Sequence, residues 1–231
     1  MTGSVGESLE ALRETIDRLP AADGTGPRAG PARSSTDEAD ELRWTALDHC
    51  LDGRVAGRRV LDIGTGGSHD AHAFAARGAE YVLACTPPGA NWPVAAADEA
   101  RVGLRAEGWE ALEPERDGTF EIVHCHGLLH RVLEPMSLLA ALRRMAAGQA
   151  TLLIDSMMLA DPERSELLRF VPDRHAGDPS CWFIPGRLAF RWMVETAGFE
   201  VEAELGETEG PRDGFPVVTG YLRARATETD A

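Results

Sequence analysis

The sequence predicts an α/β protein built on a doubly wound, mostly parallel sheet of seven strands. Short apolar runs alternate with helical segments from residue 58 onward. The runs are continuously apolar, as in parallel strands covered on both faces. The first run ends in a glycine turn that starts a helix. The 231 residues, 43% of them hydrophobic, suffice for one sizeable core.

An N-terminal helical addition precedes this pattern. Residues 8–19 place leucine and isoleucine at helical spacing, which predicts an amphipathic helix that ends at Pro20. The next stretch is rich in Gly, Pro, Ala and Ser and predicts a flexible linker. We therefore expect an N-terminal helix and linker over residues 1–36, a main domain over residues 37–226 and a tail over residues 227–231.

The main domain begins with a capping box at Ser35 and Glu38, which predicts a helix over about residues 36–52. The predicted strands are "RVLDI", "YVLAC", a weaker "RVGLR", "FEIVHC", "TLLID" and two segments of the tail. The helices between them are "HDAHAFAARG", "PMSLLAALRRMAAG", with Gly148 just past its end, and "PGRLAFRWMVETAG". About 25 residues after "TLLID" predict an irregular segment. The tail predicts an antiparallel hairpin that closes the sheet.

Composition excludes several function classes. The formal charge is −15, and all 23 basic residues are arginines, so the overall field disfavours nucleic acid. No long apolar run and no signal-like N-terminus are present, which predicts a cytoplasmic protein without a membrane segment. The cysteines have no CxxC or zinc-type spacing, which indicates reduced thiols. They are Cys50, Cys85, Cys125 and Cys181.

The glycine turn after the first strand carries the most specific signal. Asp62, Gly64 and Gly66 form an acid-x-Gly-x-Gly pattern. A dinucleotide fingerprint needs a third glycine where His69 stands, and a phosphate-binding loop needs a lysine, so the sequence fits neither. Bare backbone at the glycines allows close approach of a nucleotide-like ligand, and Asp62 can accept from an ammonium group. The alternative is a tight strand-to-helix turn without a ligand.

These residues resemble motif I of the class I S-adenosylmethionine (SAM) dependent methyltransferases. "HGLLHRVLEP" is similar to the family's fourth-strand motif, and "ARVGLRAEGWEAL" to its adenine loop. With "TLLID", "WFIPG" and "AGFEVE", residues 42–225 resemble in particular the tRNA wobble-uridine carboxymethyltransferases and their relatives. The resemblance implies SAM as cofactor. It implies cofactor contacts from Asp62, Gly64, Thr65, Gly66, Ser68, Thr86, Trp109, Glu110 and His126.

The chain also departs from the family. Thr86 stands where most members have an acid that clamps the ribose, which weakens binding by about one to two kcal/mol. Ser68 replaces the usual third glycine of motif I. In the carboxymethyl enzymes a tyrosine, an arginine and a lysine hold the extra carboxylate. Here the first two positions fall on His130 and near Gly220, and the chain has no lysine. The resemblance therefore implies ordinary SAM, or lost activity.

Three histidines and one aspartate are the candidates for chemistry. His124 and His126 lie on one side of the fourth strand, and His130 lies in the following turn. No metal centre is predicted, because no carboxylate lies close to them in sequence. His130 replaces the tyrosine that faces the transferred group in relatives, so we predict that it is the base; the alternative is a hydrogen-bonded histidine at the rim. Asp155 could orient the substrate, act as the base, or be a helix cap or surface carboxylate.

Residues 173–185 occupy the place of a lid over the cofactor. The predicted substrate contacts are Arg131, Arg174, His175, Trp182 and Phe183, although the two aromatic residues could instead only anchor the loop. The leading prediction is methyl transfer to an oxygen, nitrogen or carbon of a small molecule. The alternatives are tRNA wobble-base modification and a protein of this fold without methyl transfer, either a scaffold or a cyclase. The sequence fixes neither the substrate nor the oligomeric state.

Overall fold

The computed structural model describes residues 44, 47–48, 51, 53–64, 69–86, 101–172, 175, 180–209 and 215–227. The chain divides into two compact units, Met1–Leu47 and Asp48–Ala231. The helix predicted at residues 8–19 and the linker after it lie outside the described residues. Trp44, Leu47, Asp48 and Leu51 are helical, within the helix predicted over residues 36–52.

The second unit is built on a seven-stranded sheet, as predicted. The described strands are β1 (Arg59–Gly64), β2 (Tyr81–Cys85), β3 (Val102–Arg105), β4 (Phe120–His126), β5 (Ala146–Leu159), β6 (Leu168–Phe170), β7 (Phe183–Pro185), β8 (Phe199–Glu209) and β9 (Val217–Ala226). The strands of the main sheet follow the order β3-β2-β1-β4-β5-β9-β8. The first five strands of that order are mutually parallel, and β9 is antiparallel to both of its neighbours. The predicted antiparallel hairpin formed by β8 and β9 is thereby confirmed.

Helices connect the parallel strands. The described helices are α1 (His69–Ala76), α2 (Pro114–Asp117), α3 (Pro135–Met145) and α4 (Arg187–Thr196). α3 begins with Pro135 in its first turn, where a missing N–H is tolerated. The helix ends at Met145, earlier than predicted, because β5 begins directly at Ala146; Gly148 therefore lies within β5 rather than just past the helix. None of the described helices is long and apolar enough to cross a membrane.

The region after "TLLID" has more regular structure than predicted. β5 does not end at Asp155 but continues to Leu159, because β9 pairs with it along that whole length, up to Leu159 opposite Val217. Within the predicted irregular segment, β6 and β7 form a separate two-stranded antiparallel sheet. Both strands are three residues long, too short for a periodic pattern to identify them.

The central strands are covered on both faces. Val60 and Leu61 are adjacent on β1 and point to opposite sides, yet both are completely buried. Strand order reverses between β1 and β4, since β2 and β3 lie on one side of β1 and β5 lies on the other. Ligands of open α/β sheets bind beyond the carboxyl ends of the strands at such a reversal. The fold therefore directs attention to the ends of β1, β4 and β5.

An ionic cluster around one buried carboxylate joins β3 to α2. The Asp117 carboxylate accepts from Arg105 Nη2 at 2.5 Å, from Arg116 Nη2 at 2.8 Å and from the backbone N–H of Glu113 at 3.1 Å. Its side chain is 1% exposed, whereas that of Arg105 is 30% exposed. The hydrogen bond from Arg116 is the main cause that holds the pKa of Asp117 well below its usual range. The cluster thus depends on an ionised carboxylate.

We expect Asp117→Ala to lower the free energy of unfolding by about 3 kcal/mol, because it removes the shared acceptor of two arginines. Glu115→Gln, on the exposed side of the same helix, is the control and should change it by less than about 0.5 kcal/mol. Urea unfolding at pH 7 measures both. Since the folded-state pKa is lowered, the contribution of Asp117 is fully present above the unfolded pKa near 4 and is lost as pH falls from there through the lower folded-state pKa. Equal midpoints for the two variants would contradict the assignment.

Candidate functional site

Two rows of polar residues cross the sheet at the carboxyl ends of its central strands. In the first row, Asp62 on β1 lies opposite His124 on β4. His124 Nδ1 is 2.7 Å from Asp62 Oδ1, and both residues are buried, with 3% and 6% exposure. The predicted cofactor residue Asp62 is therefore half of a buried acid–imidazole pair at the switch point of the sheet.

The second row lies two residues nearer to the carboxyl ends of the strands. Gly64 on β1 is opposite His126 on β4. Asp155 follows Ile154, which pairs with Cys125, so its carboxylate comes beside His126. His126 Nδ1 lies 3.2 Å from Asp155 Oδ2. His126, predicted as a cofactor contact, and Asp155, predicted as a catalytic candidate, therefore lie side by side as an acid–imidazole pair.

The histidine rings stack below the strand ends. The rings of His124 and His126 are nearly parallel, with centroids 6.0 Å apart and an interplanar angle of 7°. On the other side, Phe74 of α1 meets the His124 ring edge to face, at 5.3 Å. This packing confirms that both histidines point to the same side of β4, as their spacing predicted.

Burial and neighbouring charges act differently on the two carboxylates. Burial raises the pKa of Asp62, and the charge of Asp70 adds to this, whereas the hydrogen bond with His124 opposes it. Burial also disfavours the charged form of Asp155. There, however, His126 and a hydrogen bond from the Gly127 backbone N–H to Oδ1 at 2.7 Å outweigh burial, so the pKa of Asp155 lies below its ordinary value. Asp155 is the more firmly ionised group.

Asp70 was missed by the sequence reasoning. It lies in the first turn of α1, and its carboxylate comes within 4.8 Å of ligand atoms of Asp62 and His124. The metal prediction considered only carboxylates close in sequence; packing of α1 against the sheet brings Asp70 close to His124 in space. These three groups could hold a metal ion. Two ligands of one ion, each at about 2 Å, are roughly 3 Å or more apart, so the 2.7 Å Asp62–His124 pair would first have to open.

His130 lies in a short 3-10 turn, Leu129–Arg131, directly after β4. It is 5% exposed, and its Nδ1 accepts from the backbone N–H of Met157 at 3.3 Å. β5 extends past the end of β4 here; among the described residues no strand pairs with this edge of β5, and the imidazole takes the place of one. A neutral histidine that accepts at Nδ1 carries its proton at Nε2. This geometry gives His130 a structural role at the strand edge.

Acidic groups and one arginine, Arg105, lie near the carboxyl end of β2. Thr86 follows β2, is buried, and donates its backbone N–H to the Arg105 carbonyl at 3.0 Å. The predicted cofactor residues Trp109 and Glu110 begin the 3-10 turn after β3. Burial raises the pKa of the neighbouring Cys85 thiol to about 12, and the charges of Glu110 and Glu107 contribute. Negative charge is therefore available near Thr86 although position 86 is uncharged.

The segment before β7 is tied to the turn after β4. The backbone N–H of Trp182 donates to the backbone carbonyl of His130 at 2.8 Å, and Arg131 Nη1 donates to Ser180 Oγ at 2.6 Å. These bonds bring the predicted substrate residues Arg131 and Trp182 to the same end of the sheet. We name residues 180–185 the cover segment.

The remaining predicted residues are distributed unevenly. Phe183 packs on Phe170 of the small sheet, with ring centroids 5.6 Å apart. His175 is 2% exposed and lies against Phe215, at 4.5 Å between centroids. Gly220, near the family's arginine position, lies on β9, where an added Cβ would overlap the Met158 side chain. Four predicted contacts lie outside the described residues: Thr65, Gly66, Ser68 and Arg174.

Comparison with known proteins identifies the family. The model of the methyltransferase domain family matches residues 9–204. The tRNA U34 carboxymethyltransferase of Pseudoalteromonas translucida is 30% identical over 171 residues, covering 71% of this chain and 51% of that protein. The enzyme of the same name from Psychrobacter arcticus is 24% identical over 206 residues, covering 84% and 58%. The chain thus spans about half the length of the curated relatives it matches.

Solved structures share the fold at low identity. The [4+2]-cyclase SpnF has a TM-score of 0.64 at 18% identity and covers 96% of this chain and 94% of its own. The Burkholderia thailandensis 1,6-didemethyltoxoflavin-N1-methyltransferase, with bound 1,6-didemethyltoxoflavin and S-adenosylhomocysteine, has a TM-score of 0.57 at 17% identity, covering 90% and 99%. The match to the domain model is consistent with the strand order and with the buried Asp62 on β1. The chain belongs to the methyltransferase domain family, among the class I SAM-dependent methyltransferases.

Proposed function

We propose that this protein transfers the methyl group of SAM to a small molecule bound between the ends of β1, β4 and β5 and the cover segment. The observation that carries the proposal is the buried Asp62–His124 pair, two residues before Gly64 at the reversal of strand order. A buried carboxylate there is suited to a cationic group, and SAM carries an ammonium group. Bound SAM would supply a methyl group on a positively charged sulfur.

The residues proposed to hold the cofactor come from the ends of three strands. Gly64, with Thr65, Gly66 and Ser68 after it, would let the methionine part approach the backbone closely. Trp109 would cover the adenine. Glu110 would provide the carboxylate that position 86 lacks, and Thr86 would add a hydroxyl. The charge of Glu110 already acts on Cys85 at the end of β2, which supports this assignment.

Ordinary SAM fits this chain better than a carboxylated form. The chain has no lysine, and Gly220 stands near the place of the family's arginine. Met158 fills the space that a side chain at position 220 would need. His130, at the tyrosine position, is engaged with the Met157 backbone. The groups expected to bind an extra carboxylate are thus replaced by apolar or occupied ones.

A small acceptor is favoured over RNA by the surface charge. In the part of the chain that the structure describes, many surface arginines pair with glutamates, which neutralises them toward phosphate. Such pairs are Arg58–Glu121, Arg187–Glu207, Arg191–Glu195 and Arg225–Glu200. The cover segment, held to the turn after β4, suits an enclosed acceptor from which water is excluded. Arg131, Arg174, His175, Trp182 and Phe183 remain the proposed substrate contacts.

One other function has specific support. The curated relatives are named tRNA U34 carboxymethyltransferases, which favours a tRNA substrate. A solved [4+2]-cyclase also has this fold, so the fold alone does not require methyl transfer. The tRNA-binding experiment below separates the tRNA function from the proposed one.

We expect S-adenosylhomocysteine to bind the wild-type protein and Asp62→Asn to weaken that binding by about tenfold or more, because a charge-assisted contact is lost. Isothermal titration calorimetry measures both. Glu121→Gln is the matched control, since Glu121 lies on the same sheet at the opposite end of β4 and accepts from the Arg59 N–H. Absence of binding by the wild-type protein would contradict the proposed function.

We expect Glu110→Gln to weaken S-adenosylhomocysteine binding by about tenfold, because it removes the carboxylate proposed to hold the ribose. Glu115→Gln on α2 should leave the affinity unchanged. The same calorimetric titration applies. Equal affinities for the two variants would mean that neither the turn after β3 nor Glu110 takes part in cofactor binding.

We expect no tRNA complex tighter than about 1 µM at physiological salt, since the formal charge is −15 and many surface arginines in the described part of the chain pair with glutamates. Fluorescence anisotropy with labelled unfractionated tRNA is the measurement. A submicromolar complex that weakens steeply with added salt would favour the tRNA function instead.

A further inference from the structure

We propose that this chain forms a two-fold dimer through the outer edge of β6, so that the small sheets of two copies join into one antiparallel sheet of four strands. The partner is a second copy of the chain, and the inference does not depend on methyl transfer. It begins from the backbone of β6. Within the described part of the chain, β6 pairs only with β7, on one of its two edges.

The hydrogen bonds at the two ends of the β6–β7 pair show which way each backbone group points. The Val171 N–H donates to the Trp182 carbonyl at 2.8 Å, and the Gly186 N–H donates to the Leu167 carbonyl at 2.7 Å. Hydrogen-bonded and non-hydrogen-bonded residues alternate along an antiparallel pair. The odd-numbered residues of β6 and its flanks therefore direct their N–H and C=O groups toward β7.

Leu168 and Phe170 consequently direct their backbone groups away from β7. The residue opposite Leu168 is Pro185, which has no N–H and needs none at a non-bonded position. Within the described part of the chain, no hydrogen bond is formed to these outward groups. A sheet of two short strands is at best marginally stable, and a third strand stabilises it. The outer edge of β6 is therefore a place where a further strand can pair.

The side chains of β6 form one packed face and one exposed face. The Arg169 guanidinium lies over the Phe215 ring, 3.7 Å from its centroid, and Val171 is buried in an apolar cluster with residues of β5 and β9. Leu168 and Phe170 point to the opposite face, and they are 45% and 52% exposed. Edge strands that avoid association carry charged side chains instead. This edge is thus apolar where it is open.

The exposed apolar surface around this edge matches what a dimer needs. Leu188 begins α4 beside it, since the neighbouring Gly186 bonds to Leu167, and Trp192 follows one turn later on the same side of α4. We name the exposed apolar side chains here the β6 patch: Leu167, Leu168, Phe170, Leu188 and Trp192, each between 37% and 54% exposed. Together they expose roughly 450 Å², which is about the apolar part of a standard interface that buries ~800 Å² per partner.

An antiparallel pairing of β6 with its own copy uses every outward group of the strand. With Arg169 on the two-fold axis, Leu168 of each protomer lies opposite Phe170 of the other. Both are then hydrogen-bonded pairs, each of which exchanges two N–H···O=C bonds. The leucine and phenylalanine side chains also meet as cross-strand neighbours on the exposed face. The edge is therefore complementary to itself, as a two-fold interface requires.

Charge opposes this contact, and the opposition gives it a signature. The two Arg169 residues lie opposite each other across the axis, and like charges at that position are destabilising. Stacking on Phe215 holds each guanidinium on its own chain. Each copy also carries a formal charge of −15. Because salt screens this repulsion, we expect added salt to strengthen the dimer, the reverse of an interface held by ion pairs.

The first test measures self-association of the full chain by analytical ultracentrifugation. We expect a dimer with a Kd of about 10 µM or tighter, and a lower Kd at higher salt. Leu168→Pro should weaken the dimer by about tenfold or more, because it removes an outward N–H while the bonds to β7 remain. Leu168→Glu keeps that N–H but places a charge in the apolar contact, and it should weaken the dimer by a similar factor.

Leu104→Glu is the control for this measurement. Leu104 is also an exposed leucine on an edge strand, but it lies on β3, at the edge of the main sheet. Its substitution should leave the Kd unchanged. A wild-type protein that stays monomeric up to about 200 µM would overturn the proposal. A dimer that both Leu168 variants leave intact would show that the chain associates through another surface, which also overturns it.

The second test examines the register through a disulfide. In the proposed pairing the two copies of residue 169 form a non-hydrogen-bonded pair with Cα atoms ~4.5 Å apart, which a disulfide can span. We expect Arg169→Cys to give a covalent dimer on non-reducing gels after mild oxidation, and reductant to abolish it. Arg164→Cys, at an exposed position earlier in the chain, is the control and should stay monomeric. Equal cross-linking of the two variants would refute the pairing. Neither test needs cofactor or acceptor, so their outcome is independent of the proposed function.

Discussion

The parallel register between β1 and β4 is the constraint on which the rest of the site depends. It sets Asp62 opposite His124 and Gly64 opposite His126. A shift by one residue would turn both histidines to the other face of the sheet, where they would meet apolar packing. The register is fixed by neighbours that are completely buried on both faces, such as Val60 and Leu61 on β1 and Val123 on β4. Core packing thereby determines which polar groups can meet.

The unequal lengths of β4 and β5 create the second feature of the site. β5 continues past the last residue that β4 pairs with it, and β9 supports only one edge of that extension. Backbone groups on the other edge need partners. The His130 imidazole accepts from the Met157 backbone N–H. The His130 backbone carbonyl accepts from the backbone N–H of Trp182 in the cover segment. His130 thus contacts both the edge of β5 and the cover segment, and joins them at the end of the sheet.

The chain combines the fold of its family with a different set of charges. It lacks lysine, and a methionine fills the space beside Gly220. In exchange it gathers Asp62, Asp70 and Asp155 around two stacked histidines. Such a site is suited to cations and to proton transfer rather than to binding a carboxylate or a phosphate. This is the physical ground for preferring ordinary SAM and a small acceptor.

The sequence by itself determined the seven strands of the main sheet, the larger helices between them, the closing hairpin and the family, but not β6, β7 or α2. These follow from local patterns, namely apolar runs, a glycine turn and motif spacing, which survive in any correct fold. It could not determine the partners of the polar residues. His126 was assigned to the cofactor and Asp155 to catalysis, and Asp70 was not considered. Only the register of β4 with β5 and the return of α1 over the sheet bring these groups together. Contacts between residues distant in sequence are set by packing, which no local pattern encodes.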